Sequence, residues 1–347
     1  RLRLLMARIG LGVAVALLVA IIGCCVHLIK NAPEPSISAS AVRWFRRGAH
    51  WRVPNSNHSM FYVDSHPRQS PGSPMTMFLV HGFPSSSYDY SLLFDDLVSH
   101  CGCRVVAIDH LGFGFSDKPK SGYGYSMKEQ ALNMLAFLKA KGLEDVHVVA
   151  HDMGDTVLTE ALSILEETGL SGEGKVGGFK SVTFTNGGMV FDKIGLRLGQ
   201  KILLSGYGDK VVEHVPRVVL KMFTRAQLKT IWSPEANPKI VNTETEEMLD
   251  LVEYKEGNEI INKLSSYLLE RRNPDNEKRW YGTLGRIKIP IRLCWGDKDA
   301  VAPIDIPHEL VKRARLQKTE VQIMPGLGHF AMLEDPRRWM DTVLQDL

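Results

Sequence analysis

The 347-residue sequence predicts an α/β fold with a mostly parallel, twisted sheet flanked by helices. Short apolar runs alternate with helical stretches, and most of the runs end in a turn rich in glycine, aspartate or histidine. This alternation is typical of parallel strands joined by crossover helices, and it brings polar side chains together at the strand ends. The predicted strands include 75–80, 104–108, 146–149, 181–184, 289–295 and 320–324.

The middle of the chain interrupts this alternation with a predominantly helical insertion. Apolar residues recur there at helical spacing, which predicts a helical insertion after the sixth strand of the sheet, here called the cap. About 300 residues follow the N-terminal apolar stretch, a length that suits one large domain with such a cap. The predicted divisions are an anchor over 1–30, a linker and N-terminal strands over 31–72, a first core part over 73–188, the cap over 189–286 and a second core part over 287–347.

The N-terminal stretch Ile9–Ile29 has no Asp, Glu, Lys or Arg among its 21 residues. As a helix rising ~1.5 Å per residue it would be about 31 Å long, enough to cross a hydrocarbon core of ~30 Å. A signal peptide is the alternative, but its apolar part usually spans only ~7–15 residues. We expect an uncleaved single-pass anchor, with the endoplasmic reticulum as its membrane. Basic residues stand on both sides of the stretch, so its orientation stays open.

The composition excludes several classes of protein. A net charge of +3 is too small to indicate binding of nucleic acid. The sequence has no zinc-type Cys and His spacing, no phosphate-binding loop and no complete dinucleotide motif, so we expect neither metal nor cofactor. Five cysteines indicate no disulfide framework, and Cys101 and Cys103 stand too close in sequence for a useful cross-link. The sequence leaves the oligomeric state open.

One aspartate carries most of the functional information. Asp152 stands in Ala150-His151-Asp152-Met153-Gly154, at the end of an apolar run and between two small residues. That spacing is typical of a sharp strand-to-helix turn that exposes its central side chain as a nucleophile. Serine is usual there, whereas a carboxylate would attack carbon directly and form an alkyl-enzyme ester. The alternative is an ordinary helix N-cap or turn aspartate.

The turn His81-Gly82-Phe83-Pro84, which follows the strand at 75–80, predicts a second part of the site. A glycine-containing turn after a buried strand can aim backbone N–H groups into a cavity. We expect the N–H groups of Phe83 and Met153 to form an oxyanion hole.

Together these motifs resemble the α/β-hydrolase fold family. The likeness rests on His-Gly-Phe-Pro, on Gly-Phe-Gly-x-Ser-Asp-Lys-Pro within Leu111–Pro119, on His-Asp-x-Gly, and on Gly-x-x-Asp before a late Gly-x-Gly-His. With aspartate as the nucleophile, the chain is similar to the branch of epoxide hydrolases and haloalkane dehalogenases. Within that branch it most resembles the membrane-anchored mesoderm-specific transcript group, with which it also shares Asn186-Gly187-Gly188.

The resemblance implies a role for three residues. Asp152 matches the nucleophile, His329 matches the base that activates water against the ester, and Asp299 matches the acid that orients the histidine. Asp297, two positions before Asp299, is an alternative for the acid that orients His329, but the family spacing Gly-x-x-Asp favours Asp299.

The same resemblance implies a proton donor in the cap, because epoxide hydrolases protonate the opening ring with cap tyrosines. Tyr267 stands at the expected place, and no second tyrosine stands out. A helix tyrosine is otherwise most often a core residue. The remaining candidates are Tyr207, Tyr254 and Tyr281.

Two departures weaken the dehalogenase interpretation. Haloalkane dehalogenases hold halide with a tryptophan directly after the nucleophile, where this chain has Met153, and often with a polar donor where it has Phe83. Trp232 in the cap would supply only one donor. We expect an epoxide hydrolase-like enzyme that takes a small lipophilic substrate at a lipid bilayer. Haloalkane dehalogenation or another hydrolase activity, and a non-catalytic binding protein with this fold, remain the alternatives.

Overall fold

The computed structural model of the chain describes residues 37–66, 75–172, 175–205 and 207–345. The predicted anchor over 1–30 lies outside these residues. Within the described ranges, no helix is long and apolar enough to cross a membrane.

The described part of the chain folds as strands and helices in alternation. The strands are β1 (Gly48–Arg52), β2 (Ser59–Asp64), β3 (Thr76–Val80), β4 (Arg104–Ile108), β5 (Val146–His151), β6 (Ser171–Gly172), β7 (Lys175–Val176), β8 (Phe179–Thr185), β9 (Ile291–Gly296) and β10 (Val321–Met324). The helices are α1 (Ala39–Arg47), α2 (Phe94–Cys101), α3 (Met127–Ala140), α4 (Met153–Glu167), α5 (Leu198–Leu203), α6 (Gly208–His214), α7 (Arg217–Leu228), α8 (Pro238–Glu253), α9 (Ile261–Leu264), α10 (Tyr267–Arg272), α11 (Pro274–Arg286), α12 (Asp305–Arg313), α13 (Ala331–Glu334) and α14 (Pro336–Leu344).

The sheet has the order β1-β2-β4-β3-β5-β8-β9-β10. β1 and β2 are antiparallel to their neighbours, whereas β4, β3, β5, β8, β9 and β10 run parallel. The two-residue strands β6 and β7 form a small hairpin beside β8 that was not predicted. The expected α/β fold with a mostly parallel sheet is confirmed.

The central strands are apolar on both faces because helices cover both sides of the sheet. In β3, Phe78 and Val80 belong to one buried cluster, and Met77 and Leu79 belong to the other. Alternate side chains of one strand therefore stabilise two cores, and the strand ends are held in a fixed position.

The register of β3 and β5 brings two predicted motifs together. Val80 pairs with Ala150, so the turn after β3 lies beside the turn after β5. The contact requires glycine, since a Cβ atom at Gly82 would stand 2.6 Å from the Cβ atom of Asp152. At Gly154, an added Cβ atom would stand 2.7 Å from the carbonyl oxygen of His81. The small residues around Asp152 are thus explained by close backbone packing.

Between β8 and β9 the chain forms helices α5–α11, which we call the cap. The cap follows the sixth strand if the two-residue β6 and β7 are not counted. Lys118 of the core contacts the cap: its Nζ donates hydrogen bonds of 2.7 Å each to the carbonyl oxygens of Leu251 and Tyr254.

One expectation about cysteine is wrong. Cys101 and Cys103 form a disulfide bond, with their Cα atoms 5.1 Å apart. The end of α2 and the following turn at Gly102, whose φ is +57°, fold the chain back enough to bring the two sulfur atoms together. Sequence separation alone was a poor guide to that distance.

Candidate active site

Asp152 occupies the turn between β5 and α4, with φ 47° and ψ −110°. These angles are strained for a residue with a side chain, as expected at a nucleophile turn. Asp152 precedes a helix, yet its carboxylate makes no capping hydrogen bond. The geometry therefore does not fit an N-cap aspartate, the alternative that the sequence had left open.

The turn after β3 supplies a hydrogen bond to this carboxylate. The backbone N–H of Phe83 donates to Oδ2 of Asp152 over 3.0 Å. Met153 is the first residue of α4, where backbone N–H groups lack a partner within the helix. Phe83 thus contacts Oδ2 of Asp152, and Met153 follows Asp152 directly at the start of α4.

An arginine from the cap, Arg271 of α10, reaches Asp152 from the other side. Its Nη2 donates to the carbonyl oxygen of Asp152 over 2.7 Å, and its Nε donates to Oγ1 of Thr156 over 2.8 Å. Its Nη1 lies 3.4 Å from Oδ1 of Asp152. Both side chains are buried. Sequence reasoning missed this residue, because one of two adjacent arginines on a cap helix carries no signal that it is buried.

The charges around Asp152 favour its ionised form. Burial alone would raise the pKa of Asp152, but the charges of Arg271, His329 and His151 and the hydrogen bond from Phe83 outweigh it. The pKa of the carboxyl is therefore lowered from its ordinary value, and Asp152 is a carboxylate at neutral pH.

Replacing Arg271 by methionine is expected to lower the free energy of unfolding by about 3–5 kcal/mol, because it leaves a buried carboxylate unpaired. The same change removes the largest of the charges that lower the pKa of Asp152, so ester formation should be lost at a higher pH on acidification. Urea unfolding and an activity–pH profile measure the two effects.

Arg272→Met is the matched control, since its side chain is the exposed neighbour on the same helix. If the Arg271 variant keeps the wild-type free energy of unfolding and loses activity at the same acidic pH, the contact neither stabilises the fold nor lowers the pKa of Asp152.

Asp299 and His329 form the second half of the site. Asp299 follows β9 and accepts a hydrogen bond of 2.8 Å from Nδ1 of His329 on Oδ2. Oδ1 of Asp299 accepts the backbone N–H groups of Val301 and Ala302 over 2.7 and 2.8 Å. The amide of Asn186 donates to Oδ2 over 2.8 Å. Four donors therefore hold this carboxylate in one orientation toward the imidazole.

Asp297, the competing acid, is engaged elsewhere. Its Oδ1 accepts the backbone N–H of Gly326 over 2.7 Å, and its Oδ2 lies 3.3 Å from Nζ of Lys298. The geometry therefore pairs His329 with Asp299.

His329 is buried, and it lines a cavity that also reaches Asp152. With Nδ1 donating to Asp299, Nε2 is the nitrogen left to accept a proton. Burial alone would lower the pKa of His329, but the charge and hydrogen bond of Asp299 and the charges of Asp152 and Asp89 outweigh it. The pKa of His329 is raised above its ordinary value.

The pH dependence of the two half-reactions should therefore differ. If His329 is the base for ester hydrolysis, that step slows as the pH falls through the raised pKa of the imidazole, because the protonated ring accepts no proton. Ester formation needs only the Asp152 carboxylate, whose pKa is lowered, and should keep its rate over the same window. Single-turnover kinetics between about pH 5 and 8, where histidine titrates, measure both steps.

Parallel pH profiles for the two steps would contradict this assignment. Asp152 loses its charge in the ester, so the pKa that limits hydrolysis should lie below that of His329 in the free protein.

The cavity at the site has a volume of about 280 Å³ and is bounded mainly by the cap. The core contributes few residues to its wall, among them Asp152, His329, Phe83 and Pro84. The apolar cap residues on the wall are Ile202, Leu203, Val211, Val212, Val215, Val219, Leu220, Phe223, Leu228, Ile231, Leu249, Val252 and Ile261.

Of the four candidate tyrosines, Tyr267 is the one beside the nucleophile. Its ring lies 5.7 Å from that of Phe83, and the Arg271 guanidinium lies 4.7 Å from its centre. Burial raises its pKa, and the nearby Asp152 charge raises it further. Tyr267 is not on the cavity wall in this conformation, however.

The other predicted donors lie elsewhere. Tyr207 is exposed, the ring of Tyr254 packs on Phe115, and the hydroxyl of Tyr281 donates to the carbonyl oxygen of Met189 over 3.0 Å. The indole N–H of Trp232 is buried without a hydrogen-bond partner among the described residues, but Trp232 does not line the cavity. Within the described ranges, no cluster of His, Cys, Asp and Glu is arranged to hold a metal ion.

Comparisons with known proteins agree with this architecture. A family model described as alpha/beta hydrolase fold matches residues 76–336. A Mycobacterium tuberculosis protein, LipZ, is 33% identical over 308 residues, which is 89% of this chain and 98% of LipZ. The human mesoderm-specific transcript homolog protein is 30% identical over 317 residues, 90% of each chain. Both resemblances expected from the motifs, to the family and to the mesoderm-specific transcript group, are thus confirmed.

The solved structures show the same fold. An esterase from Thermogutta terrifontis aligns with a TM-score of 0.65 at 16% identity, over 86% of this chain and 97% of the esterase. At that identity the likeness concerns the backbone only, and the chemistry must be argued from the residues at the site.

Proposed function

The chain belongs to the α/β hydrolase fold family, and we propose that within it the protein opens epoxides of lipophilic molecules through an ester on Asp152. The observation that carries the proposal is the hydrogen bond from the Phe83 N–H to Oδ2 of Asp152 in a cavity shared with His329. It engages Oδ2, so that Oδ1, which has the Arg271 Nη1 atom 3.4 Å away, is the oxygen that attacks.

In the first half-reaction, Oδ1 of Asp152 attacks a ring carbon and the carbon–oxygen bond of the epoxide breaks. The electron pair goes to the ring oxygen, which takes a proton from the phenol of Tyr267. This step requires a rearrangement that brings the Tyr267 hydroxyl from behind the cavity wall to the substrate. The Asp152 charge contributes to the raised pKa of Tyr267, so forming the ester makes the phenol a better acid as the proton is needed.

In the second half-reaction, Nε2 of His329 takes a proton from water, and the resulting hydroxide attacks Cγ of Asp152. The negative charge of the tetrahedral intermediate develops on Oδ2, where the N–H groups of Phe83 and Met153 stabilise it. The Cγ–Oδ1 bond then breaks, and the leaving oxygen takes the proton from His329. The diol carries the former Oδ1 away and the water oxygen stays on Asp152. The second proton of that water leaves the Asp152 carboxyl and passes to the Tyr267 phenolate, which restores the carboxylate and the phenol.

The cavity supports a lipophilic substrate. Its wall is mainly aliphatic, and apart from Asp152 and His329 the polar side chains that contribute to it belong to the cap. An apolar wall with few polar groups stabilises an apolar ligand by removing it from water. A bilayer is the natural source of such substrates, and we propose that Ile9–Ile29 anchors the protein there, in the endoplasmic reticulum.

Dehalogenation is the second candidate, and the site gives it less support. A departing halide needs donors near the nucleophile, but neither the Met153 nor the Phe83 side chain has an N–H or O–H group.

Assays in detergent test the proposal. We expect hydrolysis of fatty-acid epoxides to exceed that of short polar epoxides, no halide release from bromoalkanes, and slower ester formation in Tyr267→Phe. Tyr281→Phe is the matched control, because its hydroxyl is held by a backbone carbonyl away from the nucleophile.

Equal rates on polar epoxides would overturn the lipophilic assignment, and halide release would favour dehalogenation. Binding of epoxides without any turnover would favour a binding protein with this fold.

A further inference from the structure

The cap exposes a concentration of apolar side chains. Of the eleven large apolar residues that are exposed among the described residues, five lie between positions 198 and 222. Tyr207 is 69% exposed and Met222 is 61% exposed. These five side chains, on α5, α7 and the turn before α6, form what we call the cap face: Leu198, Tyr207, Val218, Val219 and Met222.

The cavity opens through the cap face. Val219 lines the cavity and is also exposed, and its neighbour Arg217 does the same. Leu198, Tyr207, Val218 and Met222 do not line the cavity but are exposed on the same part of the cap as its lining residues. The entrance at Val219 therefore lies among exposed apolar side chains. Exposed apolar clusters of this kind mark interaction surfaces.

The segment that carries the cap face is basic. Residues 193–229 hold eight Lys and Arg against two Asp and Glu, a net charge of +6. Arg217, Lys221 and Arg225 of this segment form ion pairs with acidic residues between positions 246 and 259, which leaves the other residues of the segment with a net charge of +3. Lys201 is exposed and has no ion pair with any described residue. A basic, apolar surface is complementary to a bilayer with anionic headgroups, since it offers cations to the headgroups and apolar groups to the acyl chains.

The N-terminal segment joins the molecule at the cap. The hydroxyls of Ser38 and Ser40 each donate to Glu247 of α8 over 2.5 Å. The next residue on that helix, Glu246, pairs with Arg225 of α7, the helix that carries most of the cap face. Seven residues, 30–36, separate the apolar stretch from Ile37, and seven extended residues span at most about 25 Å. A bilayer that held Ile9–Ile29 would thus lie close to the cap.

We infer that the cap face docks on an anionic lipid bilayer and places the cavity entrance at the acyl chains, so that substrate enters from the membrane without passing through water. The inference rests on the proposed function for the lipophilic substrate and for the anchor. The docking surface itself is argued from exposure, charge and the position of the entrance.

Photo-crosslinking tests the docking without any turnover. The full chain is placed in nanodiscs of phosphatidylcholine, with or without phosphatidylserine, that contain a lipid with a diazirine in its acyl chain. Mass spectrometry then identifies the labelled peptides. We expect label on residues 198–222 as well as on 9–29, with more label on 198–222 when phosphatidylserine is present.

Val218→Asp/Met222→Asp tests the contribution of the cap face, and neither residue lines the cavity. Leu132→Asp is the matched control, because Leu132 is 45% exposed on α3 of the core. The double variant should lose the label on 198–222. Its kcat/KM for an epoxide dissolved in the bilayer should fall about tenfold, the change expected when one apolar side chain is no longer buried. Its kcat/KM for a water-soluble epoxide should not change.

Label confined to 9–29, or absent from both segments, would overturn the docking whether or not the protein hydrolyses epoxides. Crosslinks between two copies through 198–222, or protection of that segment by a copurifying protein in the absence of lipid, would overturn it in favour of a protein interface. Label on 198–222 without epoxide turnover would retain the docking and reject the proposed function.

Discussion

Asp152→Asn is expected to lower turnover by about 10⁴-fold or more, the size of loss seen when a catalytic nucleophile is removed. The amide keeps the shape of the carboxylate and an oxygen that accepts the Phe83 N–H, but it does not form the alkyl ester. Stopped-flow or quenched single-turnover assays measure the loss, and the intact mass verifies that asparagine is still present at the end of the assay.

Asp155→Asn is the matched control for this experiment. Asp155 lies one helical turn away, and burial raises the pKa of its carboxyl well above the ordinary value, so asparagine replaces a group that is already neutral. We expect turnover in this variant to stay within a few-fold of the wild type. Turnover in Asp152→Asn comparable to that in Asp155→Asn would exclude Asp152 as the nucleophile.

His329→Ala is expected to stop the reaction after its first half. A positioned general base contributes about 10²–10⁴-fold, so the ester on Asp152 should accumulate when the imidazole is missing. Mass spectrometry after mixing with an epoxide should show the protein heavier by the mass of one substrate molecule, with the addition on the peptide that contains Asp152.

Two aspartate variants extend this test to the orienting acid. Asp299→Ala should also accumulate ester, because Asp299 holds Nδ1 of His329 over 2.8 Å. Asp297→Ala should turn over normally, since Asp297 instead accepts the Gly326 N–H. Accumulation in Asp297→Ala alone would reverse the assignment, and its absence in His329→Ala would remove His329 as the base.

Features that depend on local sequence were predictable. The strand-to-helix turn at Asp152 was predicted from the small residues on either side, and the approach of the His81 and Val80 carbonyl oxygens explains why Gly154 is one of them. The pairing of His329 with Asp299 was expected from family motifs at two strand ends. Parallel strands bring such ends together in almost any member of the fold.

Features that depend on how the cap sits on the core were not predictable. Arg271 is distant in sequence from Asp152, and its role depends on buried contacts between cap and core. Tyr267 was predicted as a proton donor from the family resemblance, and only the packing shows that Phe83 and Arg271 cover its ring. The entrance at the cap face likewise follows from which side of α7 is buried. Short-range spacing carries no information about these contacts.

A single turnover in water enriched in ¹⁸O tests the ester mechanism most directly. The protein is kept in excess over a lipophilic epoxide, so each molecule reacts at most once, and the peptide containing Asp152 is then analysed by mass spectrometry. The mechanism predicts one ¹⁸O atom on Asp152 and an unlabelled diol. An unlabelled Asp152 with ¹⁸O in the diol would mean that water attacks the epoxide directly, which contradicts an ester on Asp152.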